Sequence, residues 1–152
     1  MSQERIALGT VQFGLDYGIA NSLGRVTVGE VTQILDIAKS NRIRTLDTAI
    51  SYGESESILG NYGVSEWELI TKIPAIPQTV RDIKGWVIDE VEGSLKRLNL
   101  TKIYGIMLHD PDQILGHQGK AIFEALNFLK NNNICEKIGL SIYDIAKVEE
   151  YV

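Results

Sequence analysis

Short apolar runs alternate along the chain with segments in which apolar residues recur every three or four positions. The runs predict β-strands, and the helical spacing predicts amphipathic helices. The predicted strands are residues 5–9, 43–48, 68–73, 103–108 and 137–141. The predicted helices are residues 27–40, 55–61, 79–99 and 118–132, and another helical stripe begins at residue 145. Strands that alternate with helices of this length indicate βαβ units and a parallel sheet.

Two of the predicted helices carry end signals. Thr27 and Glu30 have the spacing of a capping box, in which each side chain bonds the backbone N–H of the other residue. The helix over residues 118–132 ends in a run of asparagines, which suits a C-terminal cap because asparagine tolerates the left-handed conformation.

Two parallel-sheet architectures fit this alternation. An open, flavodoxin-like sheet of five strands would be complete at 152 residues, since domains cluster near about 100–150 residues. A (β/α)8 barrel typically needs about 250 residues and would be incomplete here. Length alone favours the open sheet. A binding domain of that kind would need a phosphate loop after its first strand, where Val11, Gln12 and Phe13 are bulky for such a cradle.

Composition narrows the classes of partner. The net charge of −5 disfavours nucleic acid and anionic membranes, because both attract a basic face. We therefore expect a small-molecule partner, and we predict no metal site. The charged N-terminus lacks the apolar run of a signal peptide and no stretch approaches a membrane span, so a cytoplasmic protein is expected. Cys135 is the only cysteine, which excludes an intrachain disulfide, and we interpret it as a packed thiol.

Ionisable residues stand where three of the predicted strands end. Asp47, Lys72 and His109 follow apolar strand interiors, and Tyr52 lies in the turn that leads from the second strand into a short helix. Each residue alone has an ordinary structural role as a cap, a turn residue or a surface charge. The carboxyl ends of barrel strands, however, converge on one pocket, where such folds build their active sites. The pattern therefore favours the incomplete barrel and predicts that these side chains meet.

Together these residue types suit the reduction of a carbonyl group. Hydride transfer leaves an alkoxide that must receive a proton, and the hydroxyl of Tyr52 can supply it. The pKa of a free tyrosine is about 10, and an ammonium beside a phenol makes it a stronger acid. We therefore assign Lys72 as the activating cation and Asp47 as the residue that orients it. His109 is assigned as the residue that hydrogen-bonds and polarises the carbonyl oxygen.

The motifs around these residues resemble those of the aldo-keto reductases. Residues 46–60 (LDTAISYGESESILG) are similar to the family segment in which Asp-Thr-Ala precedes Tyr-Gly-x-Ser-Glu and a glycine. Residues 108–112 (LHDPD) resemble its histidine segment. Further similar segments are residues 8–14, 70–72, 94–98 and 125–141, in the expected order. The resemblance covers nearly the whole chain.

The resemblance implies a (β/α)8 barrel that reduces an aldehyde or ketone with NADP(H). It implies Tyr52 as the proton donor, with the partner roles assigned above. It also implies that Thr10 and Asp47 approach the nicotinamide end of the cofactor and that Ser141 helps to hold the carboxamide. After this serine the family commonly has asparagine, whereas Ile142 follows here, which removes one amide partner.

The family pattern also calls for three further strands, which this sequence does not contain. We therefore expect residues 1–152 to form the N-terminal portion of a single aldo-keto reductase barrel domain, with no second domain. The first and fifth strands would then be open edges, which invite pairing with another chain and predict a homo-oligomer. The alternative to a reductase is a catalytically inactive, truncated or regulatory binding module of the same fold.

Overall fold

Five parallel β-strands form one sheet in which each strand pairs with the next strand along the chain. The computed structural model describes residues 6–19, 21–22 and 24–151. The strands are β1 (Ala7–Gly9), β2 (Thr45–Asp47), β3 (Glu68–Ile73), β4 (Ile103–Leu108) and β5 (Cys135–Leu140). A doubly wound sheet reverses its strand order at a switch point, whereas a barrel wall adds strands in chain order. The predicted α/β architecture with the strand order of a barrel is therefore confirmed.

Helices connect successive strands. They are α1 (Val11–Gly14), α2 (Val28–Ser40), α3 (Ser55–Tyr62), α4 (Ile83–Leu98) and α5 (Gly119–Asn131), with 3₁₀ turns at Pro111–Leu115 and Ile145–Tyr151. The short α1 and the first 3₁₀ turn were not predicted. The helix predicted from residue 79 begins at Ile83, because the Asp82 side chain caps it by accepting a hydrogen bond from the Gly85 N–H (2.9 Å). Arg5 and Val152, at the ends of two predicted elements, lie outside the described residues.

The predicted helix ends are confirmed. The Thr27 hydroxyl accepts a hydrogen bond from the Glu30 N–H (3.4 Å), and the Glu30 carboxylate accepts one from the Thr27 N–H (3.0 Å). These two bonds form the capping box of α2. Asn132 is the C-cap of α5, and Asn133 follows with a φ of 58°.

One face of the sheet carries the helices, and the other carries the predicted site. The Thr71 hydroxyl of β3 donates a hydrogen bond to the Glu56 carboxylate of α3 (2.7 Å), so this residue points toward the helices. Successive side chains of a strand point to opposite faces, and Lys72 therefore points the other way. Large apolar side chains fill the helix-covered face, where fully buried strand residues include Leu46, Leu69, Ile73, Ile106 and Leu108.

The sheet has two open edges. Within the described residues, β1 pairs only with β2, and β5 pairs only with β4. Self-association through these edges stays a prediction. No helix in the described part of the chain is both long and apolar enough to cross a membrane. Cys135, at the start of β5, is buried, and its burial raises the pKa of the thiol, as a packed cysteine requires.

Candidate active site

Backbone hydrogen bonds continue the parallel ladder past the carboxyl ends of the strands. Each bond joins a residue that lies within three positions of the end of one strand to a neighbouring strand, which draws the predicted site residues to a single edge of the sheet. The bonds run from the N–H to the carbonyl in the pairs Thr10 to Asp47 (2.9 Å), Thr48 to Ile70 (2.9 Å), Ile50 to Lys72 (3.1 Å), His109 to Ile73 (3.0 Å) and Ser141 to Leu108 (3.0 Å).

The Lys72 ammonium lies at the centre of this edge. Its Nζ donates hydrogen bonds to Asp47 Oδ1 (2.6 Å), to the Thr48 carbonyl (3.0 Å) and to the Tyr52 hydroxyl oxygen (3.4 Å). An ammonium has three N–H donors, and each one here has an acceptor. The Lys72 side chain is only 6% exposed, so the adjacent carboxylate of Asp47 offsets the cost of removing this charge from water.

The contact with Lys72 orients the hydroxyl of Tyr52. A lysine ammonium can only donate hydrogen bonds, so the phenol oxygen must accept from it. The phenol hydrogen therefore points away from Lys72 and is free to be donated to another group. Tyr52 also makes an edge-to-face contact with the His109 ring, with ring centroids 5.8 Å apart and an interplanar angle of 80°.

Two glycines let the loop that carries Tyr52 lie against α1. A Cβ on Gly14 would stand 1.7 Å from the Tyr52 carbonyl oxygen and 2.6 Å from the Ser55 nitrogen. Gly53 has a φ of +56°, and a Cβ there would lie 2.7 Å from the Gly14 carbonyl oxygen. The backbones can approach this closely only because neither residue has a side chain.

His109 is half-buried beside the same ammonium. Burial lowers the pKa of the imidazole, and the positive charge of Lys72 lowers it further, while the Asp47 and Asp110 carboxylates oppose the shift. The imidazole is therefore neutral at pH 7 and carries a single N–H. A neutral imidazole can donate one hydrogen bond to a carbonyl oxygen without adding a second cation to the site.

The structure brings Asp47, Tyr52, Lys72 and His109 together as predicted from the sequence, through the contacts described above; their chemical roles stay predictions. The predicted cofactor residues differ in their surroundings. Thr10 is fully buried, and its hydroxyl donates to the Asp47 carbonyl (3.0 Å) and accepts from the Ser55 hydroxyl (3.0 Å).

The Ser141 hydroxyl, in contrast, makes no hydrogen bond within the described residues. It stands one residue past β5 at the edge where the other site residues lie. Thr10 thus connects the ends of β1 and β2 through hydrogen bonds within the protein, whereas the Ser141 hydroxyl can still donate and accept a hydrogen bond.

Ser51 is a site residue that the sequence did not single out. Its Oγ lies 3.2 Å from His109 Nδ1, which makes it a direct hydrogen-bond partner of the imidazole. The two residues are 58 positions apart, so no local pattern could reveal the pair. The only hint in the sequence is its position immediately before Tyr52.

A buried carboxylate on the other face of β3 supports the strand that carries Lys72. Glu56 is 1% exposed, and its Oε1 accepts hydrogen bonds from Thr71 Oγ1 (2.7 Å) and Ser94 Oγ (2.6 Å). Its Oε2 accepts one from Arg97 Nε (2.8 Å). Arg97 Nη2 lies 2.8 Å from the same oxygen as an ion-pair contact, but it is not aligned to donate a hydrogen bond. One side chain of α3 therefore ties this helix to β3 and α4.

Comparison with known protein families gives one match. Residues 5–151 match the sequence model of the aldo/keto reductase family. No curated protein matches the chain.

Solved structures match the chain over most of its length. One is described as an aldo-keto reductase from Pseudomonas aeruginosa; it has 30% sequence identity and a TM-score of 0.72, with 89% of this chain and 54% of that protein covered. Another is an aldo-keto reductase from Bacillus halodurans in its holo form, with 22% identity, a TM-score of 0.72, and 96% and 48% covered. The chain thus spans about half the length of these structures.

Proposed function

Because the chain belongs to the aldo/keto reductase family, we propose that it contributes the proton-donating half of an NADP(H)-dependent carbonyl reductase. The substrate class is an aldehyde or ketone, which is reduced to an alcohol. The observation that carries this proposal is the Lys72 ammonium, which is buried and donates to both Asp47 and the Tyr52 oxygen. We further propose that residues 1–152 are the N-terminal portion of one barrel domain.

Tyr52 is the proton donor in this proposal. Its phenol hydrogen is directed away from Lys72, because its oxygen accepts from the ammonium. When the proton leaves, the phenolate that remains faces a cation 3.4 Å away, which stabilises the negative charge. Asp47 keeps the ammonium in place through its 2.6 Å ion pair. The proton thus moves from the Tyr52 oxygen to the carbonyl oxygen of the substrate.

His109 polarises the same carbonyl oxygen. Its ring contacts the ring of Tyr52, so a substrate oxygen held by the phenol also lies near the imidazole. A donor placed where negative charge develops stabilises the transition state without reorganisation. The neutral state of His109 keeps the site from holding two adjacent cations, since Lys72 already supplies one.

The residues at the edge of the sheet fit the nicotinamide end of NADP(H). The Ser141 hydroxyl has no hydrogen-bond partner in the described residues, and it suits a carboxamide, which both donates and accepts. The Asp47 side chain is 36% exposed, and only its Oδ1 is held by Lys72. Thr10 contributes by fixing the backbone of Asp47 rather than through a free hydroxyl. The cofactor, when bound, supplies the hydride.

Titration of the purified protein with NADPH, followed by fluorescence, and NADPH oxidation with a panel of aldehydes and ketones test the proposal. We expect Tyr52→Phe to lower kcat by at least about 100-fold, because the general acid is lost, while the Kd for NADPH stays unchanged. Tyr62→Phe is the matched control, since it removes the same atom at the far end of α3 and should leave turnover intact.

The outcomes are distinct. Full turnover by Tyr52→Phe would refute the assignment of the proton donor. Binding of NADPH without reduction of any carbonyl by the unmodified protein would instead support the alternative, a catalytically inactive regulatory binding module. Failure to bind NADPH would show that this chain does not perform the reductase reaction of its family.

A further inference from the structure

The hydrogen bond between Ser51 and His109 bears on which ring nitrogen of the histidine carries the proton. Within the described residues, the 3.2 Å contact from Ser51 Oγ to Nδ1 is the one hydrogen bond of the His109 side chain. Nε2 has no partner there. Ser51 is exposed and makes no other side-chain hydrogen bond in the described part of the chain. The state of Nε2 therefore depends on the direction of this single bond.

The bond can run in either direction, with opposite consequences. A serine hydroxyl both donates and accepts, and a neutral imidazole has one nitrogen that donates and one that accepts. If Ser51 donates to Nδ1, the hydrogen of the ring is on Nε2. If Nδ1–H donates to Ser51, Nε2 presents a bare lone pair, which repels a carbonyl oxygen.

The neighbouring groups favour the first arrangement. The imidazole of His109 is neutral, because burial and the Lys72 charge act against a second proton. A carbonyl oxygen has two lone pairs. The phenol hydrogen of Tyr52 can bond one lone pair of the substrate oxygen, and the other lone pair requires a second donor. Only the tautomer with its hydrogen on His109 Nε2 supplies that donor.

We propose that Ser51 is a positioning residue whose hydroxyl donates to His109 Nδ1 and thereby holds the imidazole as its Nε2–H tautomer. The consequence for catalysis, an N–H donor aimed at the substrate oxygen, rests on the proposed function. The tautomer itself is a property of the protein alone.

Nuclear magnetic resonance of the ¹⁵N-labelled protein tests the tautomer directly. We expect a pyridine-type shift for His109 Nδ1 and a pyrrole-type shift for Nε2. Removing the hydroxyl in Ser51→Ala should move the Nδ1 shift toward the pyrrole type and the Nε2 shift toward the pyridine type, because the Nδ1 lone pair loses its donor and the Nε2–H tautomer loses its preference. Ser51→Thr keeps the hydroxyl and should restore the original shifts. The signals of the exposed His117 serve as an internal reference.

The nitrogen shifts distinguish the two arrangements. A hydroxyl that accepts from Nδ1–H would leave Nδ1 pyrrole-type and Nε2 pyridine-type in the unmodified protein. That result, or shifts that Ser51→Ala leaves unchanged, would overturn the inference. Ser65→Ala is the matched control, because Ser65 is an exposed serine just before β3, at the opposite edge of the sheet, and this variant should leave the His109 nitrogen shifts unchanged.

Kinetics then test the catalytic consequence. Ser51→Ala should lower kcat/KM for a reducible carbonyl by about tenfold, with the NADPH Kd unchanged, since one donor to the oxyanion is partly lost. Ser51→Thr should recover it. If the unmodified protein reduces no carbonyl, the proposed function fails while the tautomer result still stands. If reduction occurs but Ser51→Ala alters neither the tautomer nor kcat/KM, the inference about Ser51 fails and the function remains.

Discussion

Replacing Glu56 by glutamine tests whether the buried carboxylate between α3, β3 and α4 stabilises the fold. The substitution keeps the shape of the side chain and removes its charge. The amide oxygen can still accept from Arg97, and the amide NH₂ then faces Thr71 and Ser94, whose hydroxyls can turn to accept. The main loss is therefore the charge on the acceptor rather than the packing.

The size of the effect follows from the three hydrogen bonds that reach this carboxylate. A hydrogen bond to a charged group contributes about 1.5–3 kcal/mol and one between neutral groups about 0.5–1.5 kcal/mol. The difference is about 1–1.5 kcal/mol for each bond, or about 3–4.5 kcal/mol over the three bonds. Water solvates part of Arg97, whose side chain is 37% exposed, so we expect a loss of about 2 kcal/mol in the free energy of unfolding.

Urea unfolding followed by tryptophan fluorescence measures this loss, because Trp67 is only 9% exposed in the folded protein and becomes exposed to water when the chain unfolds. With a typical dependence of about 2 kcal/mol per molar urea, the midpoint of Glu56→Gln should fall by about 1 M. Glu54→Gln is the matched control two residues away. It removes an exposed ion pair with Arg25, a type of contact that contributes about 0–1 kcal/mol. Equal midpoints for the two variants would refute the reasoning.

Two further substitutions test other contacts. Gly14→Ala should destabilise the protein by about 1–3 kcal/mol, because its Cβ would meet the Tyr52 carbonyl. The control is Gly29→Ala in α2, which has open space around it and should raise the urea midpoint slightly, since alanine favours a helix more than glycine does. A change of the urea midpoint in the same direction for both variants would contradict the argument. Burial and the hydrogen bond to Asp36 raise the pKa of Tyr62 to about 12. The folded pKa exceeds the unfolded value near 10, so the stabilisation is present below about pH 10 and lost toward pH 12. The free energy of unfolding of Tyr62→Phe should therefore be lower than that of the unmodified protein by about 0.5–1 kcal/mol at pH 8 and by less at pH 11. A difference that stays the same at both pH values would contradict the assigned pKa shift.

Much of the fold was predictable from local patterns. The bounds of β3 and β4 agree with the predicted strands, since each is a short, mostly apolar segment. The capping box of α2 was predicted because both partners lie three residues apart. The predicted fifth strand began at Lys137 and the observed one begins at Cys135, because pairing with β4 recruits two further residues. Local polarity gives no sign of that pairing.

The sequence by itself determined which residue types stand at the carboxyl ends of the strands. Asp47, Lys72 and His109 stand at or next to the carboxyl ends of mostly apolar strands, and parallel strand order is enough to bring them to one edge of the sheet. Tertiary structure alone decided which atoms meet there. The bond of Ser51 to His109 and the network around Glu56 join residues that are 15 to 58 positions apart. Such contacts depend on the packing of several elements at once, and no spacing within one segment encodes them.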